Sequence, residues 1–188
     1  MNYAGYSGRM SLPSTYADRN CSLARALEVV GERWTLLVIR DAFFGVRRFG
    51  DFATQLGLPR AVLTNRLKLL VREGVLARDD DGAGNVEYRL TTKGVELWPI
   101  VRALMNWGDA YYSPSGARRS LRHDADGGPL DHEGRCRECG GVVPVTHTRI
   151  EPGPGFEPAA GTPDAVSRAI NTPRLLLEPI TTKPPTTE

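Results

Sequence analysis

The sequence has few of the features that mark membrane, secreted and disulfide-stabilised proteins. No apolar run approaches the roughly 18 residues of a membrane helix, and residues 1–16 lack the apolar stretch of a secretory signal. Three cysteines in 188 residues are too few and too unevenly spaced for a disulfide framework. We therefore expect a soluble protein in the reducing cytoplasm.

Positive and negative charges nearly balance in the whole chain. Lys and Arg number 24 against 22 Asp and Glu, so the net charge of +2 does not by itself indicate nucleic-acid binding. The 40% of hydrophobic residues is typical of a globular chain, and the length suits one domain with a small appendage. Because the sequence also lacks a Ser/His/Asp or Cys/His set, a phosphate-binding glycine loop and paired carboxylates in a cleft, we predict no enzymatic activity and no required cofactor.

Proline and glycine divide the chain. Nine of the fourteen prolines lie in the last quarter of the sequence, and Pro114-Ser115-Gly116 interrupts a helical pattern before it. The predicted organisation is an N-terminal arm over residues 1–19, a compact domain over 20–112, an extension over 113–150 and a proline-rich tail over 151–188.

Apolar spacing within the domain predicts a winged helix-turn-helix. Helices are predicted over residues 21–30, 32–44, 49–56 and 59–73, with Gly57 in the turn between the last two and Pro59 at the first helical position. Residues 75–78 and 86–90 form a hairpin, and a long helix runs from Thr91 or Thr92 to Tyr112 with a kink or late start at Pro99. The fold class is mainly α with a small β wing (α+β), with a C-terminal extension that can form a small β-hairpin.

The fourth helix and its surroundings indicate DNA binding. Leu63, Leu67 and Leu70 fall within about 60° of one another and face the core, so the opposite face is polar or basic. Between residues 46 and 72 there are six basic residues and one acid, Asp51. A solvated basic face is the alternative, but the charge coincides with a complete helix-turn-helix and wing. The predicted DNA-contacting residues are Arg47, Arg48, Arg60, Ala61, Thr64, Asn65, Arg66, Lys68, Arg78 and Arg89, of which Thr64, Asn65 and Lys68 can reach base edges.

An ordered series of motifs carries a family resemblance. The motifs are Cys21-Ser22-Leu23, Val30-Gly31-Glu32-Arg33-Trp34-Thr35-Leu36-Leu37-Val38-Ile39-Arg40, Arg48-Phe49-Gly50-Asp51, Leu63-Thr64-Asn65-Arg66-Leu67-Lys68-Leu69-Leu70, Val86-Glu87-Tyr88-Arg89-Leu90-Thr91, Leu97-Trp98-Pro99-Ile100 and Trp107-Gly108. Over residues 21–112 the chain resembles the HxlR-type winged-helix transcriptional regulators. The resemblance implies a homodimer on a pseudo-palindromic site in double-stranded DNA, and we predict that it is a repressor.

The resemblance also implies a dimer interface and a thiol function. Family members usually pair through the first and last helices, and several sense electrophiles or oxidants through a thiol near the position of Cys21. At the start of the first helix this sulfur would lie near unpaired backbone N–H groups, which favour a thiolate; an ordinary packed cysteine is the alternative. The predicted interface residues are Leu23, Leu27, Leu97, Val101, Leu104, Trp107 and Tyr111.

The wing and the extension depart from the family pattern. The wing is short and carries Asp79, Asp80 and Asp81, so its tip should repel phosphates. The extension contains Cys136-Arg137-Glu138-Cys139, which has the spacing of a zinc knuckle. In some extended relatives a His-x2-Cys pair precedes this knuckle, but here His123 is followed by Asp126 at that spacing, so the cysteine is missing. The predicted metal ligands are Cys136, Cys139, His123 and His132, with Asp126 and His147 as further candidates; a hairpin that has lost its metal is the alternative.

Rival functions are a zinc- or thiol-dependent sensor and a winged-helix protein-interaction module.

Overall fold

The computed structural model describes residues 15–16, 19–82, 84–158 and 161–182. Most of the predicted N-terminal arm therefore lies outside the described residues. None of the helices in the described ranges combines the length and hydropathy that a membrane span requires. In chain order the elements are α1 Ser22–Val30, α2 Thr35–Phe43, α3 Phe49–Leu56, α4 Arg60–Arg72, β1 Leu76–Asp80, β2 Val86–Leu90, α5 Thr92–Val95, α6 Trp98–Tyr112, β3 Arg119–His123, a 3-10 turn Val145–His147, β4 Thr148–Pro152, α7 Ala165–Asn171 and β5 Arg174–Leu175.

The helix-turn-helix is formed by α3 and α4. Helix α3 ends at Gly57, whose left-handed conformation (φ 61°) is one that glycine adopts without steric cost. Pro59 is the N-cap of α4 and not its first helical residue, so this helix begins one residue later than predicted. Leu63, Leu67 and Leu70 are buried against α2, as their spacing predicted, which turns the opposite face of α4 outward. The prediction of a mainly α winged helix is confirmed.

Strands β1 and β2 form the antiparallel wing. Leu76 pairs with Leu90 and Asp80 with Val86, so the ladder includes two acidic residues that the sequence placed in the turn. Thr91 then caps α5 by accepting a hydrogen bond from the Gly94 backbone N–H at 3.2 Å. Pro99 lies in the first turn of α6, so the predicted long helix is a short helix followed by a late start.

The prediction of a separate proline-rich tail is wrong for residues 161–182. Strands β3, β4 and β5 form a three-stranded antiparallel sheet, and Val166, Ile170 and Leu176 join the same hydrophobic core as α2 to α4. The Leu177 N–H donates to the carbonyl of Phe43 at 2.8 Å, and the Ile180 N–H to that of Gly45 at 3.0 Å. Proline shortens elements and fills turns, but it does not prevent the intervening apolar residues from packing.

The C-terminal segment passes very close to the end of α2. Gly45 has φ 89°, and a Cβ atom there would overlap the carbonyl oxygen of Glu178. Only glycine fits both the backbone conformation and the space. The compact part of the chain therefore includes the winged helix, the extension and residues 161–182.

Candidate functional site

The outward face of α4 carries the predicted base-contacting residues. Ala61, Asn65 and Lys68 are exposed and Thr64 is half-buried. Thr64 and Lys68 also line a groove of about 350 Å³ between α4 and the wing, whose other walls include Arg78 and Tyr88. Amide, hydroxyl and ammonium groups on one helix face are what reading of base edges in the major groove requires.

Basic side chains flank this face. The Arg60 guanidinium lies 4.9 Å from the centre of the Phe49 ring, so a cation–π contact fixes it at the start of α4. Arg48, at the N-cap of α3, has a side chain that is about half exposed, and it lies 3.8 Å from a carboxylate oxygen of Glu87. Arg60 and Arg48 therefore add positive charge at the starts of α4 and α3.

Two of the predicted DNA-contacting arginines are held by other parts of the protein. Arg47 donates to the carbonyl of Leu177 at 3.0 Å and lies 3.8 Å from Glu87. Burial, and then the nearby Arg89, lower the pKa of Arg47. Arg66 lies 3.6 Å from Glu32, in the loop that precedes α2, and its side chain is largely covered. Both guanidinium groups therefore support the architecture of the site.

The wing arginines are paired with wing acids. Arg78 lies 2.9 Å from Asp80, and Arg89 lies 3.1 Å from Asp79 and 2.9 Å from Glu87. The acids were expected to repel phosphate, and their pairing with these arginines was not predicted. The role of Glu87 was not predicted, because its contacts with Arg47 and Arg48 join β2 to a segment about forty residues earlier, and only the contact with Arg89 is local.

The predicted dimer residues divide into two groups. Leu104, Trp107 and Tyr111 on α6 are 49%, 55% and 71% exposed, and Leu23 and Leu27 on α1 are exposed as well. Val101 is wrong as an interface residue, because it is 4% exposed and belongs to the core of its own chain, and Leu97 is half-buried against the same core. A broad apolar stripe cannot be divided by spacing alone into the part that faces the core and the part that faces outward.

Cys21 is exposed at the N-cap of α1. Its side chain makes no capping hydrogen bond to the first turn. The residue is therefore accessible from solvent, in contrast to the packed cysteine that was the alternative.

The extension brings four possible metal ligands together. One ligand atom from each of His123, Asp126, Cys136 and Cys139 lies within 4.8 Å of the others. Asp126 takes the place that the prediction gave to His132, which is exposed and whose carbonyl accepts from Asn106 at 3.4 Å. His147, in the 3-10 turn, is also outside this cluster. The signal was present in the sequence, since His123 and Asp126 have the same x2 spacing as the two cysteines.

Backbone groups hold the cluster together. The Gly128 N–H donates to Asp126 Oδ1 at 2.8 Å, and this bond, ahead of those from His123 and the cysteines, lowers the pKa of Asp126 to about 2. Gly128 is buried, and a Cβ atom there would overlap Cys136 Sγ. The arrangement keeps a carboxylate ionised beside two thiols and an imidazole.

Comparison with known proteins gives one consistent result. A family model described as HxlR-like helix-turn-helix matches residues 29–116. The chain is 46% identical over 139 residues to the uncharacterized HTH-type transcriptional regulator Rv3095 of Mycobacterium tuberculosis, covering 72% of this chain and 88% of that protein. It is 34% identical over 94 residues to the uncharacterized HTH-type transcriptional regulator YvaP of Bacillus subtilis, covering 48% of this chain and 87% of YvaP.

A solved structure extends the likeness. PA1607, a protein named as a transcription factor, is 33% identical with a TM-score of 0.51, over 77% of this chain and 93% of its own. The alignment with Rv3095 is too long to end at residue 116, so that likeness includes part of the extension. The fold, the helix-turn-helix of α3 and α4 with its wing, and these relatives agree that the chain belongs to the HxlR-like helix-turn-helix family of DNA-binding transcriptional regulators.

Proposed function

We propose that the protein is a sequence-specific repressor that binds a pseudo-palindromic operator as a homodimer. The observation that carries the proposal is the exposed polar face of α4, where Asn65 and Lys68 project next to the groove between α4 and the wing. Asparagine pairs well with adenine and lysine with guanine in the major groove. Each subunit would insert α4 into one half-site.

The exposed apolar residues of α1 and α6 support the homodimer. Trp107 lies 5.4 Å, centre to centre, from both the Tyr111 and the Tyr112 rings, so the end of α6 presents an aromatic cluster to solvent. Leu23, Leu27 and Leu104 add aliphatic surface on the same two helices. Covering such residues with their equivalents in a second subunit removes apolar area from water and fixes the distance between the two recognition helices.

Repression then follows from occupancy. A dimer that spans two half-sites about 34 Å apart covers one face of the duplex and excludes polymerase from an overlapping promoter. The proposed DNA contacts are the base-reading residues of α4 together with Arg48 and Arg60, while the wing arginines contact phosphate only if their ion pairs open.

The test is selection of binding sites from random and genomic DNA by the purified full chain, followed by footprinting. We expect an inverted repeat with half-sites one helical turn apart and lower transcription from a promoter that contains it. Selection of a single half-site by a monomer would contradict the dimeric reading. A protein that enriches no sequence would instead support a winged-helix interaction module.

A further inference from the structure

We propose that His123, Asp126, Cys136 and Cys139 form a structural zinc site. This cluster lies in the extension, and none of its residues is among the proposed DNA contacts. Two thiols and an imidazole are ligands that zinc prefers, whereas calcium and magnesium favour oxygen donors. Four protein ligands leave no open position, which is typical of a structural site.

Several distances between the ligand atoms are close to those of a tetrahedral zinc site. Zinc bonds of about 2.3 Å to sulfur and about 2.0 to 2.2 Å to nitrogen and oxygen require neighbouring ligand atoms to lie roughly 3.3 to 3.8 Å apart. Cys136 Sγ is 3.4 Å from Asp126 Oδ2, and Cys139 Sγ is 3.7 Å from His123 Nδ1. His123 Nδ1 is 3.0 Å from Asp126 Oδ2, so a separation of a few tenths of an ångström completes the geometry.

Two backbone turns hold these ligands. In the first, the Gly127 N–H donates to the His123 carbonyl at 2.8 Å, and the His123 N–H donates to the Gly128 carbonyl at 2.9 Å. In the second, the Gly140 N–H donates to the Cys136 carbonyl at 2.8 Å, and Gly140 has φ 73°. Each x2 pair is therefore held by its own backbone turn, as in a zinc knuckle, and Gly128 leaves the space that Cys136 Sγ occupies.

The site would fasten the extension to α6. The loop between Asp126 and Cys136 includes Glu133, whose carbonyl accepts from Arg102 at 2.6 Å, and His132, whose carbonyl accepts from Asn106 at 3.4 Å. Arg102 lies against Gly134 so closely that a Cβ atom there would overlap the guanidinium. An ion that joins the two ends of this loop keeps it packed on the helix that carries the exposed aromatic cluster.

The experiment measures metal content and cobalt spectra of the full chain, purified under reducing conditions from zinc-supplemented medium. We expect about one zinc per chain in the wild type, as a closed four-ligand site requires. We expect the same content in two matched controls, His132→Ala and Cys21→Ser, which change a histidine and a cysteine outside the cluster. Cys139→Ser and Asp126→Ala should lose the zinc. Cys139 and Asp126 are exposed, so these variants avoid a change in the core, unlike Cys136→Ser.

Cobalt(II) supplies a readout that a purely structural defect would not produce. The wild type should show the visible bands of a tetrahedral ion and a thiolate charge-transfer band. Asp126→Cys should keep the metal and strengthen the charge-transfer band in proportion to three thiolates instead of two. The proposal is wrong if the wild type binds no stoichiometric zinc, if Cys139→Ser retains it, or if mapping finds Cys136 and Cys139 joined as a disulfide in place of metal.

Discussion

The guanidinium of Arg47 donates a hydrogen bond to the backbone carbonyl of Leu177, a residue 130 positions further along the chain. Arg47 begins the basic segment that precedes the helix-turn-helix, while Leu177 follows β5 near the C-terminal end of the described chain. This bond, together with those from Leu177 and Ile180 to the end of α2, connects the DNA-binding half of the molecule to its C-terminal segment.

Replacement of Arg47 should therefore affect mainly the stability of the fold, whereas replacement of its neighbour Arg48 should affect mainly DNA binding. Arg47→Ala should lower the free energy of unfolding by about 1 to 3 kcal/mol, because it removes a charged donor from a partly buried carbonyl. Arg48→Ala should leave unfolding nearly unchanged and weaken binding to all DNA sequences, because an exposed arginine contributes to phosphate contacts. Urea unfolding and binding to random duplexes measure the two effects. Equal losses of DNA affinity with unchanged stability would contradict the distinction.

Asn65 and Lys68 should determine operator preference. Asn65→Ala and Lys68→Ala should each reduce operator affinity by about 1 to 3 kcal/mol and reduce non-specific affinity much less, since base contacts discriminate between sequences. Competition between operator and random duplexes measures the ratio. If both variants lost affinity equally for every sequence, the face of α4 would not be the reading surface.

Leu104 should support the dimer. Leu104→Asp places a charge in the apolar face of α6, so we expect the monomer to predominate at micromolar concentration. Operator affinity should fall by about tenfold or more, a loss of at least roughly 1.4 kcal/mol. Val142→Asp is the matched control, because Val142 is an exposed apolar residue outside α1 and α6. Light scattering and operator titration test both; a Leu104→Asp dimer with full affinity would rule out this interface.

Cys21 should carry any thiol-dependent regulation. It is exposed at the start of α1, beside the proposed dimer surface, so an added group can shift one subunit against the other. A mild oxidant or electrophile should release the wild type from its operator and should leave Cys21→Ser bound. The Cys136→Ser Cys139→Ser double variant should still respond. Release that persists in Cys21→Ser and disappears in the double variant would assign the response to the metal cluster.

Asp164 should stabilise α7, and with it the folded C-terminal segment, in a pH-dependent way. Its carboxylate caps α7 by accepting from the Ser167 N–H at 2.9 Å, and this bond lowers the pKa of Asp164. A lowered pKa in the folded state means that the contribution is complete above the ordinary pKa of an aspartate and disappears as the pH falls through the lowered value. Asp164→Ala should therefore cost about 0.5 to 2 kcal/mol near neutral pH and less in acid. Asp164→Ser, a neutral cap, should show no such pH dependence in urea unfolding.

Local sequence patterns were sufficient to predict the winged helix, but not the way in which the C-terminal segment packs against it. The spacing of Leu63, Leu67 and Leu70 fixes which face of α4 is buried, because a helix repeats every 3.6 residues. Leu176 is in the core because its N–H donates to the carbonyl of Thr148 in β4 and the next residue, Leu177, donates to Phe43 in α2; proline content says nothing about such distant contacts. In the metal cluster the error lay in weighting residue type over spacing, which favoured His132 over Asp126.

The ion pairs of the wing also bear on how binding responds to salt. A protein cation that contacts DNA ordinarily frees a condensed counterion, and the number freed sets how steeply affinity falls with salt. Arg78 and Arg89 already have carboxylates as counterions, from Asp80 and from Asp79 and Glu87. If the wing engages phosphate, those carboxylates must first be released toward solution, which offsets the entropy gained from the ions leaving the duplex. The salt dependence of operator binding should therefore report almost entirely on α3 and α4.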